Sequence, residues 1–97
     1  MSEKKLAKGN DKAALNRRLK RIEGQVKGIQ KMIEDDRYCV DILVQISAIR
    51  SAIDNVGTII LENHIKGCVS NDLKYGDEEQ SEAAIQELMD TIKKFTK

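Results

Sequence analysis

The 97-residue chain contains no proline and no tryptophan, and its only aromatic residues are two tyrosines and one phenylalanine. Its hydrophobic residues, 40% of the chain, are therefore mainly isoleucine, leucine, valine, alanine and methionine. This composition is typical of packed helices and argues against a β-sandwich. A chain of this length is expected to form one domain. A domain this small buries only about 60–65% of its unfolded surface, so a lone protomer would be marginally stable.

The chain also lacks long apolar runs. No stretch of eighteen apolar residues occurs, and the N-terminal sequence MSEKKLAKGN lacks the apolar core of a signal peptide. We therefore expect a cytoplasmic protein. In a reducing compartment its two cysteines are expected to be free thiols, metal ligands or redox sensors rather than a structural disulfide.

The net charge is small, +1 at pH 7, but it is unevenly distributed. Residues 1–31 hold ten Lys or Arg against three Asp or Glu, whereas residues 32–97 hold seven against thirteen. The first part therefore carries +7 and the rest −6. A basic segment on an otherwise acidic chain favours a polyanionic partner, and a solvated amphipathic helix is the alternative explanation.

Hydrophobic periodicity predicts an all-α fold. Over residues 11–34 apolar side chains recur at alternating intervals of four and three residues: Leu15, Leu19, Ile22, Val26, Ile29 and Ile33. Asp11 is the expected N-cap of this first helix. The four residues EDDR, 34–37, interrupt the pattern. Residues 1–10 are polar and are predicted to form a disordered tail.

Two further apolar stripes predict helices over residues 38–70 and 80–96. The second stripe consists of Leu43, Ile46, Ile49, Ile53, Val56 and Ile60, and the third of Ile85, Leu88, Ile92 and Phe95. Between them, SNDLKYGDEEQS, residues 70–81, predicts a loop whose Asp or Ser caps the third helix. Residues 11–97 are thus expected to form a single all-helical domain.

The second predicted helix is too long for the chain to bury alone. About thirty residues rise roughly 45 Å, and two shorter helices cannot cover an apolar stripe of that length. A second copy of the chain is the simplest partner. Two long helix pairs packed antiparallel would form a four-helix bundle with an isologous interface.

Three metal-competent side chains extend the second stripe at its two ends. Cys39 lies before it, whereas His64 and Cys68 follow it, four residues apart on one helical face. Cys39 precedes His64 by 25 residues, roughly 37 Å along one helix, so the three side chains cannot meet within one chain. In an antiparallel dimer, Cys39 of one protomer would lie opposite His64 and Cys68 of the other.

Two thiolates and one imidazole favour trigonal Cu(I). Zinc would need water or a carboxylate as fourth ligand, and nickel or cobalt would need more nitrogen or oxygen donors. Two alternatives need no metal. The histidine can be a hydrogen-bonded core residue beside a cysteine that acts as a small apolar side chain. An enzyme would use Cys39 or Cys68 as nucleophile and His64 as base, but the sequence shows no accompanying Gly-rich loop or acid–base pair.

Basic side chains lie on the side of the first helix opposite its apolar stripe. They are Arg17, Lys20, Arg21, Lys27 and Lys31, with Arg18 at the edge. Gly24 and Gly28 lie among them. This arrangement predicts a strip that contacts DNA phosphates and lets a backbone approach closely at the glycines, whereas a solvated helix face is the alternative. No helix-turn-helix, zinc finger or ribbon motif is visible, so DNA binding would use an unusual all-helical mode.

Three segments of the chain resemble the CsoR/RcnR superfamily of bacterial metal- and thiol-responsive repressors. They are LNRRLKRIEGQVKGIQKMIEDDRYCVDILVQISAIRSAI, LENHIKGCV and AAIQELMDTIKKF, and the resemblance covers about residues 12–96. A cysteine after RY and the spacing H-x₃-C are most similar to the copper-sensing branch, the copper-sensitive operon repressors. Nickel, cobalt and formaldehyde sensors have another residue where Cys68 stands, and persulfide sensors have both cysteines but lack the histidine. A persulfide- or polysulfide-responsive repressor that uses Cys39 and Cys68 is the alternative.

The resemblance implies a disc-shaped homotetramer, a dimer of antiparallel dimers, that binds operator DNA in the metal-free state. One Cu(I) per protomer, held by Cys39 of one subunit and by His64 and Cys68 of the other, would release the DNA and derepress genes for copper export or sequestration. A copper chaperone would be a further partner. By position, Tyr38 and Glu87 correspond to residues that surround the ligands, with Glu87 accepting a hydrogen bond from the histidine nitrogen that does not bind copper.

Two features depart from the pattern of this family. Arg18 matches a basic residue that the family uses on DNA, but a second such position holds Asn55, with Arg50 about one turn away. We therefore include Arg50 with the first-helix residues as a candidate DNA contact. The loop before the third helix is a few residues longer than in typical members, so Glu82 is an alternative to Glu87.

Overall fold

A computed structural model describes Leu6 and residues 9–96, apart from the side chain of Cys68. Over this part of the chain every regular element is helical, which confirms the predicted fold class. The elements are α1 (Lys12–Glu34), α2 (Cys39–His64), a π-helical turn (Ile65–Val69), α3 (Ser70–Tyr75) and α4 (Glu78–Phe95). None of the described helices is both long and apolar enough to cross a membrane. Two compact units are formed, one by Asp11–Val56 and one by residues 57–96 with the described residues that precede Asp11.

In the first unit, α1 begins and ends where the sequence predicts. The Asp11 carboxylate accepts hydrogen bonds from the backbone N–H groups of Ala13 and Ala14 at 3.0 and 3.2 Å, which confirms it as the N-cap. At the other end Asp36 adopts a left-handed backbone, with φ of 54°, and its N–H donates to the Ile33 carbonyl. The next N–H, that of Arg37, donates to the Met32 carbonyl, so EDDR terminates the helix as a Schellman motif.

The apolar stripes of α1 and α2 are only partly buried within one protomer. Leu15, Ile22 and Val56 are the buried apolar side chains of this unit. By contrast, six residues of the predicted stripes are between 36% and 62% exposed: Leu19, Val26, Ile33, Leu43, Ile46 and Ile53. Within this unit, the two helices therefore leave a long apolar surface uncovered.

In the second unit, the loop predicted for residues 70–81 is wrong over most of its length. The helical backbone continues through the π-helical turn into α3 and ends only at Tyr75, so that Gly76 and Asp77 alone connect it to α4. Turn-forming residues express a local preference, which tertiary packing overrides here. Val69 is buried where the π-helical turn meets α3, and α3 packs against α4.

The start of α4 is fixed by a capping box. The Asp77 carboxylate accepts from the Gln80 N–H at 2.8 Å, and the Gln80 side-chain oxygen accepts from the Asp77 N–H at 3.0 Å. Gly76 is needed immediately before this cap, because a Cβ there would lie 2.6 Å from the Asp72 carbonyl oxygen. The helix cap that the sequence assigned to an Asp or Ser is thus Asp77.

The described part of the N-terminal tail contacts the end of α2. Gly9 forms a turn with φ of 101°, and the Asn10 side-chain oxygen accepts a hydrogen bond from Asn63 Nδ2 at 2.6 Å. Apart from Leu6, the rest of the tail predicted to be disordered lies outside the described residues.

Candidate functional site

His64 and Cys68 lie on either side of a change in helical geometry. His64 is half-buried and ends α2, and Cys68 belongs to the π-helical turn that follows. The backbone stays helical through His64, with φ of −63° and ψ of −44°. Single π-helical turns inside longer helices are rare and occur frequently at functional sites. The H-x₃-C spacing gave no sign of this turn, because the sequence IKGCV is compatible with an ordinary α-helix.

Cys39 and Tyr38 lie at the opposite end of α2. Cys39 is the first residue of the helix and is an exposed free thiol. Tyr38 is 68% exposed, and its carbonyl oxygen accepts a hydrogen bond from the Ile42 N–H at 3.2 Å. Among the residues described, no three His, Cys, Asp or Glu side chains come together as a potential metal site. Of the three predicted ligands, Cys68 has a side chain that lies outside the described residues.

Beside His64 lies a cavity of about 410 Å³ between the C-terminal part of α2 and α4. Its lining residues are Gly57, Ile60, Leu61, His64, Glu87, Thr91 and Phe95. The half-buried Glu87 therefore shares a cavity with His64, whereas Glu82 is not part of the lining. The Thr91 hydroxyl donates to the Glu87 carbonyl at 2.8 Å, one turn back along α4.

Phe95 closely approaches the backbone at Gly57, and the same cavity also reaches His64, later in α2, and Glu87, earlier in α4. In each helix the two positions are about two turns apart. The two segments therefore lie antiparallel, with Gly57 and Phe95 at one end of the cavity and His64 and Glu87 at the other.

The six predicted DNA-contacting side chains are all exposed: Arg17, Arg18, Lys20, Arg21, Lys27 and Arg50. Two of them, Arg18 and Arg21, line a cleft of about 240 Å³ together with Asn55 and the half-buried Gln25. Asn55 therefore lies in the same cleft as Arg18. The Gln25 side-chain oxygen is buried without a hydrogen-bond partner. Gln25 left no signal in the sequence, since an isolated glutamine on an amphipathic helix is ordinary.

The two glycines of α1 are not required by packing within the protomer. A Cβ added to Gly24 or Gly28 would meet no atom within 4 Å. A glycine inside a helix costs about 1 kcal/mol relative to alanine. These positions are therefore open to close approach by another molecule.

Known proteins resemble this chain over most of its length. Residues 11–94 match the family described as metal-sensitive transcriptional repressor. The copper-sensing transcriptional repressor CsoR of Bacillus subtilis (strain 168) is 59% identical over 87 residues, which cover 90% of this chain and 83% of the relative. These matches rest on the sequence and agree with the superfamily resemblance carried by its motifs.

Two solved structures share the fold. The crystal structure of the copper-sensing repressor CsoR with Cu(I) from Geobacillus thermodenitrificans NG80-2 has a TM-score of 0.80 and 50% identity, covering 91% of this chain and 92% of that one. The nickel-responsive transcriptional regulator InrS has a TM-score of 0.75 and 32% identity, covering 90% of this chain and 98% of that one.

Proposed function

The chain belongs to the metal-sensitive transcriptional repressor family, and we propose that it is a Cu(I)-responsive repressor that binds operator DNA without metal and releases it on binding copper. The family acts by transcriptional repression, which confirms the prediction that the chain is not an enzyme. The observation that carries the proposal is the 50% identity to a repressor whose crystal structure contains Cu(I). The derepressed genes would be those for copper export or sequestration, and the repressor would act in the cytoplasm.

The donor set of the chain fits Cu(I). Cys39 and Cys68 are the only cysteines and His64 is the only histidine. Thiolates are soft ligands that select Cu(I), and imidazole also suits copper. Nickel would favour more nitrogen or oxygen donors, and the nickel-responsive relative is the less similar of the two solved structures. When bound, the copper ion would tie these three side chains together, one ion per protomer.

A second copy of the chain would complete the site. Cys39 begins α2 and His64 ends it, so the length of the helix separates the two side chains. In an antiparallel pair of α2 helices, Cys39 of one protomer lies beside His64 and Cys68 of the other. The exposed apolar residues of α1 and α2 support such a pairing, because they need a partner surface. Two such dimers would form the disc-shaped tetramer.

Glu87 is the residue that would link the metal ligands to α4. His64 can bind metal through one ring nitrogen and donate a hydrogen bond from the other to a carboxylate, which fixes the orientation of the ring. Glu87 lines the cavity beside His64 and supports this role over Glu82. Tyr38 would act next to Cys39 at the other end of α2. A change in the position of α4 would then favour the tetramer shape that does not bind DNA.

The DNA contacts would come from the basic strip of α1, with Arg18 and Arg21 at its centre and Arg50 of α2 beside it. Exposed arginine and lysine side chains supply the phosphate contacts that dominate affinity for duplex DNA. Asn55 lies in the cleft with Arg18 and Arg21 and can donate a neutral hydrogen bond to a phosphate oxygen. It would thereby replace the charged contact with a weaker one.

Mixing two inactive variants tests the shared site. We expect Cys39→Ser and His64→Ala each to lose tight Cu(I) binding, measured anaerobically against a colorimetric Cu(I) chelator. After the two variants are unfolded and refolded together, about half of the dimers should be mixed. Each mixed dimer has one intact site of two, so about a quarter of the wild-type capacity should return. Refolding Cys68→Ser with His64→Ala is the matched control and should return none, because both lesions fall on the same half of the site. Equal recovery in the two mixtures, or none in the first, would contradict a site shared between subunits.

The other candidate functions receive less support. The three relatives are named for copper or nickel, so they lend no support to a persulfide-responsive repressor. None of them supports a copper chaperone as partner.

A further inference from the structure

Phe95, the last residue of α4, packs directly on the backbone of α2. A Cβ added to Gly57 would lie 2.7 Å from Phe95 Cζ and closer still to a neighbouring ring carbon, which is too near for any real side chain. The aromatic ring therefore occupies the space that a side chain at position 57 would need. Gly57 lies in the interior of α2, where glycine weakens a helix, and this contact is a structural reason for its presence.

The contact lies at the far end of the cavity that contains His64 and Glu87. Gly57 precedes His64 by seven residues, and Phe95 follows Glu87 by eight, about two helical turns in each case. The Phe95–Gly57 contact and the His64–Glu87 pair are thus two ends of one antiparallel helix contact. Moving one end changes the angle and register of α4 at the other.

Few other residues hold the C-terminal half of α4. Ala84 is buried and anchors the helix three residues before Glu87. After Glu87, Met89, Phe95 and Ile92 are 51%, 41% and 37% exposed and Leu88 is half-buried, so the close approach of the covered side of the Phe95 ring to Gly57 is what ties this half of the helix to α2. Without Phe95 on Gly57, α4 would be held mainly by its first half and could pivot about Ala84, and Glu87 would move with it.

We propose that the Phe95 ring, packed on the Gly57 backbone, is a clasp that sets the position of Glu87 relative to His64. Phe95 and Gly57 thereby control how strongly copper binding is coupled to DNA release. The inference rests on the proposed function. Phe95 and Gly57 are positioning residues in this account, because they act through α4 and contact neither metal nor DNA.

Two substitutions open the clasp in different ways. Phe95→Ala removes the ring, and Gly57→Ala leaves the ring but fills its place. Gly57→Ala also favours the helical state of α2, so a loss of coupling in this variant cannot be attributed to a weakened helix. Tyr75→Ala is the matched control, since it truncates an aromatic side chain of the same unit that is 80% exposed.

The first readout needs neither copper nor DNA. In the metal-free protein we expect hydrogen exchange of the α4 amides after Glu87 to speed up by about tenfold or more in Phe95→Ala and Gly57→Ala, and to stay unchanged in Tyr75→Ala. The double variant should resemble Phe95→Ala alone, because both substitutions remove one contact. Unchanged α4 exchange in both single variants would overturn the clasp.

The second readout is the ratio of DNA affinities without and with Cu(I). We expect both clasp variants to lower this ratio by at least about fivefold relative to wild type, with metal-free DNA affinity retained. A wild-type ratio in both, despite faster α4 exchange, would overturn the positioning role. If the wild-type protein itself released no DNA with copper, the proposed function would fail, and the exchange measurement would still decide whether the clasp exists.

Discussion

His64 at the end of α2 and Glu87 in α4 line the same cavity, although they are 23 positions apart in the sequence. The two side chains are brought together because α4 folds back antiparallel to the last turns of α2. Their shared cavity supports Glu87, rather than Glu82, as the residue that would accept a hydrogen bond from the imidazole, since Glu82 does not line this cavity. It also makes the connection between metal binding and α4 testable by single substitutions.

Replacing Glu87 with alanine is expected to weaken the response to copper. Residues that hydrogen-bond to a metal-ligating histidine change metal affinity by about 10–100-fold when they are removed. We predict a loss of Cu(I) affinity of this size and a smaller copper-induced decrease in DNA affinity, measured by chelator competition and fluorescence anisotropy. Glu82→Ala is the control and should behave as wild type. If Glu87→Ala bound copper and released DNA as wild type does, the route through α4 would be wrong.

Arg18→Ala and Arg21→Ala are each expected to weaken operator binding and flatten its salt dependence. Each lost phosphate contact lowers the slope of log affinity against log salt by about 0.9. The measurement is a salt titration of DNA affinity, using a duplex selected from random-sequence DNA by the metal-free protein. Lys93→Ala, near the end of α4, removes a charge outside the strip and should leave the slope unchanged. An unchanged slope in both arginine variants would place the DNA surface elsewhere.

The capping box of α4 should contribute measurably to stability. Asp77→Ala removes the carboxylate that accepts from the Gln80 N–H, and such a loss costs about 1 kcal/mol of unfolding free energy. Urea denaturation of the metal-free protein at fixed concentration measures the change. Glu79→Ala, in the first turn of the same helix, keeps the cap and should lower stability less. Equal losses in the two variants would mean that helix charge, and not the cap, stabilises this end.

Copper affinity should fall as the solution becomes more acidic. Metal binding needs deprotonated thiols and a neutral imidazole, so protons compete with the ion for all three ligands. We expect affinity to fall steadily between about pH 8 and pH 5, where free thiols and then free imidazole are mainly protonated. Chelator competition at a series of pH values, corrected for the chelator's own protonation, measures this dependence. An affinity that stays constant over this range would argue against Cys39, His64 and Cys68 as ligands.

The local signals in the sequence predicted the fold well where a side chain acts on its own backbone. Asp11 caps α1, and EDDR ends it, because both features depend on residues only a few positions apart. The loop predicted over residues 70–81 failed because buried Val69 and the packing of α3 on α4 extend the helix through turn-forming residues. Packing between distant segments overrides local preference in this region.

The candidate ligands could be proposed from their residue types, but their geometry could not. The two cysteines and the histidine stand out by their rarity and by their place on one stripe. The π-helical turn left no signal, because IKGCV is compatible with an ordinary α-helix, and the contact between Phe95 and Gly57 left none, because it depends on how two helices meet. The preference for Glu87 over Glu82 likewise rests on which of them lines the cavity beside His64, which no spacing within one helix reveals.

The most direct test of the central claim is an anaerobic titration of the DNA-bound protein with Cu(I), following thiolate-to-copper absorption and the anisotropy of the labelled duplex together. Our account predicts saturation at one copper per protomer, with release of the DNA over the same range and no release from His64→Ala. A parallel titration with inorganic polysulfide should leave the DNA bound. Release by polysulfide, with indifference to copper and to His64, would contradict the account and identify a repressor that responds through its thiols.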